Sequence, residues 1–147
     1  MVYKNVLLTG ASGELGSAIS GSKIFPHLST PAKEILDITN PNSIKNFFDN
    51  NGFDAVIHCA ALARIGKCEE NPIMAIETNI IGTSNMVNAV MEKEKKNGIK
   101  IRVIHISTDV VYPGTKGNYS ENDVTIPYNT YGWTKLGAEC AVNALSN

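Results

Sequence analysis

Apolar residues in this chain come in short bursts, broken by glycine, proline and asparagine, and the bursts change period along its length. "YKNVLLTG" holds a compact apolar run, Val6 to Leu8, ending in Thr9-Gly10. A run without polar alternation predicts a buried strand covered on both faces. Glycines follow, and "ELGSAIS" predicts a helix. "SKIFPHLS" predicts a second strand, weakened by Pro26, and "KEILDIT" a third. "NPNSIKNFFDNNG" predicts a helix with Asn40 as N-cap, Pro41 as first helical residue and Gly52 as its close. Its Ile44, Phe47 and Phe48 fall on one face.

"DAVIHCAA" predicts the next buried strand. Steps of three and four through Ile73, Ile76, Ile80, Thr83, Val87 and Val90 predict one long helix ending in a solvated "EKEKK", with Gly98 as C-cap. "IRVIHIST" predicts another strand. A loop rich in Gly, Pro and Asn runs from Tyr112 to Asn129, and a final helix carries Tyr131 and Lys135. Strands alternating with helices predict an α/β fold: a doubly wound, Rossmann-like parallel sheet of about five strands with right-handed crossovers and helices on both faces. Ligands of such sheets gather at the carboxyl ends of the strands. No repeat or linker divides residues 1–147, so one domain is expected.

Charge removes several function classes. Thirteen Lys+Arg against fourteen Asp+Glu leave a net charge of −1, with no basic field for nucleic acid. No apolar run approaches the roughly 18 residues of a membrane span, and "MVYKNVLLTGASG" breaks into glycines too early for a signal peptide. Cys59, Cys68 and Cys140 form no C-x-x-C and no ligand spacing with the three histidines. That pattern argues against a structural metal and for reduced thiols in a cytoplasmic protein.

The first strand runs into Gly10-Ala11-Ser12-Gly13-Glu14-Leu15-Gly16, a G-x-x-G-x-x-G turn. It departs from the G-x-G-x-x-G fingerprint but serves the same physics. One glycine makes the tight turn, one lets a pyrophosphate reach the backbone, and one lets the helix pack close. Gly10, Ser12, Gly13, Glu14 and Leu15 are therefore candidate cofactor contacts; the alternative is a tight βα turn with no ligand. A carboxylate about 20 residues further on normally holds the adenosine ribose. Asp37 has that separation, but as part of a third strand it and Ile38 would lie nearer the adenine. Ser29-Thr30 supply no acid and Lys33 follows, which leans towards NADP(H) over NAD(H).

Tyr131 and Lys135 are four residues apart and share a helix face. A tyrosine's ordinary pKa of about 10 is too high for proton exchange near neutrality, and a neighbouring ammonium favours the phenolate. The alternative is an exposed helical pair.

The blocks "LLTGASGELG", "LDITNP", "DAVIHCAALA", "CEENP", "ETNIIGT", "HISTDVVYPG", "YSEND" and "PYNTYGWTKLGAE", in this order and spacing, resemble the extended short-chain dehydrogenase/reductase family, and within it the dTDP-4-dehydrorhamnose reductase branch. The resemblance implies that the Thr108 hydroxyl holds a substrate carbonyl and that Tyr131 protonates its oxygen as hydride arrives at carbon. It implies that Lys135 holds the nicotinamide ribose and lowers the tyrosine pKa, with Asn79 supporting the lysine. Ala60 and Ala61, with Cys59 before them, match the small residues that leave room for the cofactor. Taken singly, Thr108 could instead cap its strand and Asn79 could bond backbone. His58 and His105 read as core residues, and Trp133 as a residue packing away from the site. Ala63 and Gly66 stand where Thr and Asp are usual, a difference that bears on the substrate.

The resemblance also implies relatives about twice this length. The expectation is an NAD(P)-binding Rossmann domain, the N-terminal part of a longer protein that lacks here its C-terminal substrate part. The implied activity is NAD(P)H-dependent reduction of a nucleotide-linked keto-sugar. The alternatives are an epimerase or dehydratase of the same superfamily, or an NADP-binding regulatory subunit such as that of methionine adenosyltransferase. The expected partners are a nucleotide-sugar and, through the exposed edge of "RVIHIS", a second copy of the chain.

Overall fold

The computed structural model describes residues 3–145. Among them four strands, β1 (Asn5–Thr9), β2 (His27–Ser29), β3 (Ala55–His58) and β4 (Arg102–His105), form one parallel sheet in the order β2-β1-β3-β4. Six α-helices accompany them: α1 (Glu14–Gly21), α2 (Pro41–Asn50), α3 (Ile65–Glu70), α4 (Pro72–Ile76), α5 (Gly82–Asn97) and α6 (Thr130–Leu145).

Side-chain alternation along the strands divides the core in two. Leu7 and Val56 point to one face, where Leu36, Ile38, Ile44, Phe48, Met86 and Val90 close over them. Val6, Leu8, Ala55 and Ile57 point to the other, against Ile19 of α1 and Phe25. The doubly wound parallel architecture is therefore as expected.

The strand count is smaller than expected, because "KEILDIT" is not a strand. Ile35 and Leu36 both donate backbone N–H to the Ala32 carbonyl, and Asp37 N–H donates to the Ser43 hydroxyl. The Asp37 carboxylate accepts from the Thr39 N–H and hydroxyl at 2.9 and 2.7 Å. These local partners consume the groups a ladder would need. Leu36 and Ile38 still bury their side chains, at 5% and 7% exposure, and this supplied the strand-like apolar signal.

The cap of α2 is as expected, with Asn40 Oδ1 accepting from the Asn42 and Ser43 N–H groups. Its other end differs. The side-chain amides of Asn50 and Asn51 donate to the Asn46 and Phe47 carbonyls, so Gly52 is not the closing residue.

The long helix is not continuous. Residues Glu77–Ile81 form a π-turn between α4 and α5. One α-helical residue turns the chain by about 100°, so the wider turn shifts the buried face. Thr83, Val87 and Val90 are buried as expected, whereas Ile73 and Ile76 are exposed and Ala75 and Asn79 face inward instead. Between β3 and α4 the chain also forms the short helix α3. Gly98 does cap α5, at φ +63°.

The register also aligns polar side chains. Thr9 pairs with His58, and His58 with His105, in one row across the carboxyl ends of β1, β3 and β4. That row lies under α5 and α6.

Candidate functional site

A cleft of about 980 Å³ opens at the carboxyl ends of β1 and β3. The glycine turn forms its floor. Gly10 has φ +69°, a conformation costly for any residue with a Cβ. A Cβ on Gly16 would lie 2.2 Å from the Gly10 carbonyl oxygen, so only glycine lets α1 sit this close to the turn. A Cβ on Gly13 would meet that oxygen at 3.3 Å, a tight contact but far milder than the one at Gly16. Packing therefore constrains Gly13 less than Gly16, and Gly13 lines the cleft. No side chain caps the N-terminus of α1, which leaves its first N–H groups and partial positive charge for an anion.

Gly10, Ser12, Gly13, Glu14, Leu15, Asp37, Ile38, Cys59, Ala60, Ala61, Tyr131 and Lys135 all line this one cleft. Thr30 and Lys33 line it too. Hydrogen bonds from Thr39 hold the Asp37 carboxyl below the usual range, and one of its oxygens is committed to that turn.

Neither Thr108 nor Asn79 lines the cleft. Thr108 Oγ1 accepts from the Val110 N–H at 3.3 Å, capping the 3₁₀ turn Asp109–Val111. The same hydroxyl lies near enough to Tyr131 to favour its ionised form. Asn79 is 1% exposed. It accepts from the Leu62 N–H at 2.7 Å and donates to the Leu62 carbonyl and Thr134 hydroxyl at 3.1 and 2.9 Å. It ties the loop after β3 to α6 and makes no direct bond to Lys135.

The tuning expected of Lys135 is absent from this arrangement. Burial raises the Tyr131 phenol pKa, the nearby Thr108 hydroxyl opposes it, and Cys68 and Asp109 add to the rise. The reason is position: Lys135 Nζ donates to the Ile106 carbonyl at 2.6 Å and lies 3.3 Å from His105 Nε2. Lys135 itself is buried, and its pKa is pushed down to about 8 by desolvation, against the pull of Glu139.

The two strand histidines also separate. His58 is a core residue as expected, 2% exposed, with Nδ1 2.7 Å from the Thr9 hydroxyl and Nε2 3.2 Å from the Thr83 hydroxyl. Burial pushes its pKa down to about 3. His105 is not simply core, because it touches Lys135. Trp133 does face away from the cleft but is 53% exposed rather than packed.

Sequence reasoning missed three positioning contacts. Ser107 donates to the Glu139 carboxylate beside Lys135; Glu139 follows Lys135 by one further step of four, so the helix period could have flagged it. Glu69 accepts from the Thr130 N–H and hydroxyl at 2.7 and 2.9 Å, fixing the start of α6. Thr134 joins Asn79 to the Tyr131 carbonyl. The last two depend on long-range packing that no local pattern carries.

Residues 4–147 match the family described as "RmlD substrate binding domain". The chain is 32% identical over 149 residues to the dTDP-4-dehydrorhamnose reductase of Mycolicibacterium smegmatis, covering 98% of this chain and 43% of that protein. It is 30% identical to methionine adenosyltransferase 2 subunit beta of Xenopus laevis, covering 95% and 42% respectively. The crystal structure of dTDP-4-dehydrorhamnose reductase from Bacillus anthracis in complex with NADP superposes with a TM-score of 0.86 at 29% identity, over 99% of this chain and 51% of that one. The chain thus spans about half the length of the relatives it matches.

Proposed function

The chain belongs to the RmlD substrate binding domain family, and from that premise we propose that it forms the cofactor-binding part of an NAD(P)H-dependent reductase of nucleotide-linked keto-sugars. The observation that carries this reading is one cleft shared by the Gly10–Gly16 turn, Tyr131 and Lys135. The turn offers an uncapped helix N-terminus and bare backbone to a pyrophosphate. The other end offers a hydroxyl and an ammonium.

The Gly10–Gly16 turn would hold the pyrophosphate of NAD(P)H, which would supply hydride to a carbonyl carbon. Tyr131 gives the carbonyl oxygen its proton; a phenol whose pKa is raised by burial is in the protonated form near neutrality, as a donor must be. The Thr108 hydroxyl, adjacent to the phenol, orients that carbonyl. Lys135 would hold the ribose with the ammonium N–H that the Ile106 carbonyl and His105 leave free. Asn79 holds the loop after β3 and α6 in register, so its role is positional. Lys33 and Thr30 at the end of β2 favour the 2′-phosphate of NADP(H). The substrate binds in part through the remaining length that the relatives possess.

The test is turnover in a chimera carrying the C-terminal half of the Mycolicibacterium smegmatis relative. Oxidation of NADPH that depends on dTDP-4-dehydrorhamnose, and disappears in Tyr131→Phe, is the expected result. A chimera that binds both ligands without turnover overturns the reading. The similarity to methionine adenosyltransferase 2 subunit beta supports a regulatory alternative. In that case Tyr131→Phe leaves affinity for the partner enzyme unchanged.

A further inference from the structure

Lys135 reaches the cleft across the carboxyl end of β4 and meets two acceptors there, the Ile106 carbonyl at 2.6 Å and His105 Nε2 at 3.3 Å. An ammonium has three N–H groups and no acceptor capacity. An imidazole can face it only with a lone pair, which requires the neutral ring with its proton on the other nitrogen. That other nitrogen, His105 Nδ1, is buried without a hydrogen-bond partner among the described residues. An aliphatic side chain at this position would avoid an unpaired buried nitrogen. What the imidazole adds is the contact with Lys135.

We propose that His105 is a positioning residue for Lys135: its neutral ring accepts one ammonium N–H through Nε2, the Ile106 carbonyl accepts a second, and the third is held towards the cleft. This rests on the reading of Lys135 as a working group of the cofactor site.

The surroundings keep the ring neutral. Burial, and then the Lys135 charge, push the His105 pKa down to about 4. The ring of His58 on β3 lies 5.8 Å away and is likewise neutral near pH 7. Cys59 at the end of β3 and Glu139 on α6 are the other titratable groups facing Lys135, and both favour its charged form. His105 therefore stays an acceptor throughout the range in which Lys135 titrates. An acceptor stabilises the ammonium, so its removal lowers the lysine pKa.

The test reads Lys135 directly, in the chain without cofactor, so it can fail independently of the reductase reading. Ring-nitrogen NMR of the wild type is expected to show His105 protonated at Nδ1 and bare at Nε2. In His105→Leu the side-chain carbon signals of Lys135 titrate about one pH unit lower, the size of one charge-assisted hydrogen bond. His105→Gln, whose carbonyl can reach the same place, restores most of the shift. An Nε2–H tautomer in the wild type, or an unmoved Lys135 midpoint in His105→Leu, overturns the proposal. So does equal loss in His105→Gln and His105→Leu. If His105→Leu does not fold, the wild-type tautomer and the Gln variant decide it.

Discussion

Asn79 Nδ2 donates to Thr134 Oγ1 at 2.9 Å, bonding a π-turn to the helix that carries Tyr131. The Thr134 hydroxyl in turn donates to the Tyr131 carbonyl at 2.8 Å. Asn79 also satisfies both backbone groups of Leu62. One buried amide thereby fixes the loop after β3 and the tyrosine helix together.

Replacing that amide leaves buried partners unpaired, which costs more than the bonds contribute. Asn79→Leu is expected to lower unfolding free energy by about 3 kcal/mol. Thr134→Val, which strands fewer groups, should cost about 1 kcal/mol. Urea unfolding of both variants checks the ranking; a Thr134→Val loss as large as that of Asn79→Leu would remove the amide from the centre of the clamp.

The glycine turn separates packing from binding. In Gly16→Ala the new Cβ meets backbone that cannot yield, so stability falls by about 3 kcal/mol and cofactor affinity falls with it. In Gly13→Ala the contact at 3.3 Å asks the Gly10 carbonyl to give slightly and costs about 1 kcal/mol, less than at Gly16, while the methyl is expected to intrude on the proposed pyrophosphate site. Thermal unfolding with and without NADPH should show Gly13→Ala near wild type alone and unresponsive to ligand.

Acid stability follows from the two strand histidines, whose folded pKa values are about 3 and about 4. An unfolded histidine titrates near 6.5, so as pH falls below that value the unfolded chain takes up protons first. Stability is complete above pH about 6.5 and declines from there to pH about 4 for His105 and about 3 for His58. For His58, fully buried, the loss by pH 5 is about 2 kcal/mol. The carboxyls of Asp37, Asp54 and Asp123 are all held below their usual range and add their losses further down the scale. Urea midpoints from pH 7 to pH 4 check this, and a flat profile would mean that the histidines are charged in the folded state.

Lys33 lines the cleft just past β2. Lys33→Ala should weaken NADPH binding several-fold while leaving NADH affinity close to unchanged. Equal weakening of both would place the lysine away from the 2′-phosphate.

What could be read from the sequence was whatever local period or local chemistry dictates. Val6 to Leu8, the Asn40 cap and the Gly98 cap are of this kind, and so is the cleft assignment of Gly10, Tyr131 and Lys135. Errors arose where long-range partners override a local pattern. The apolar residues of "ILDIT" are buried by side-chain packing while Asp37, Thr39 and Ser43 take the backbone bonds. The steps from Ile73 to Val90 kept their period in sequence, but the π-turn rotated the first half outward. His105 looked like Ile104 or Val103, one more residue of a buried strand. Only the register with His58 and the reach of Lys135 across β4 gave it a different place.

The most direct measurement is a titration of this chain with NADPH and with NADH, followed by energy transfer from Trp133, its one tryptophan. The account predicts saturable micromolar binding, tighter for NADPH and lost in Gly13→Ala. A folded chain that binds neither nucleotide would contradict it.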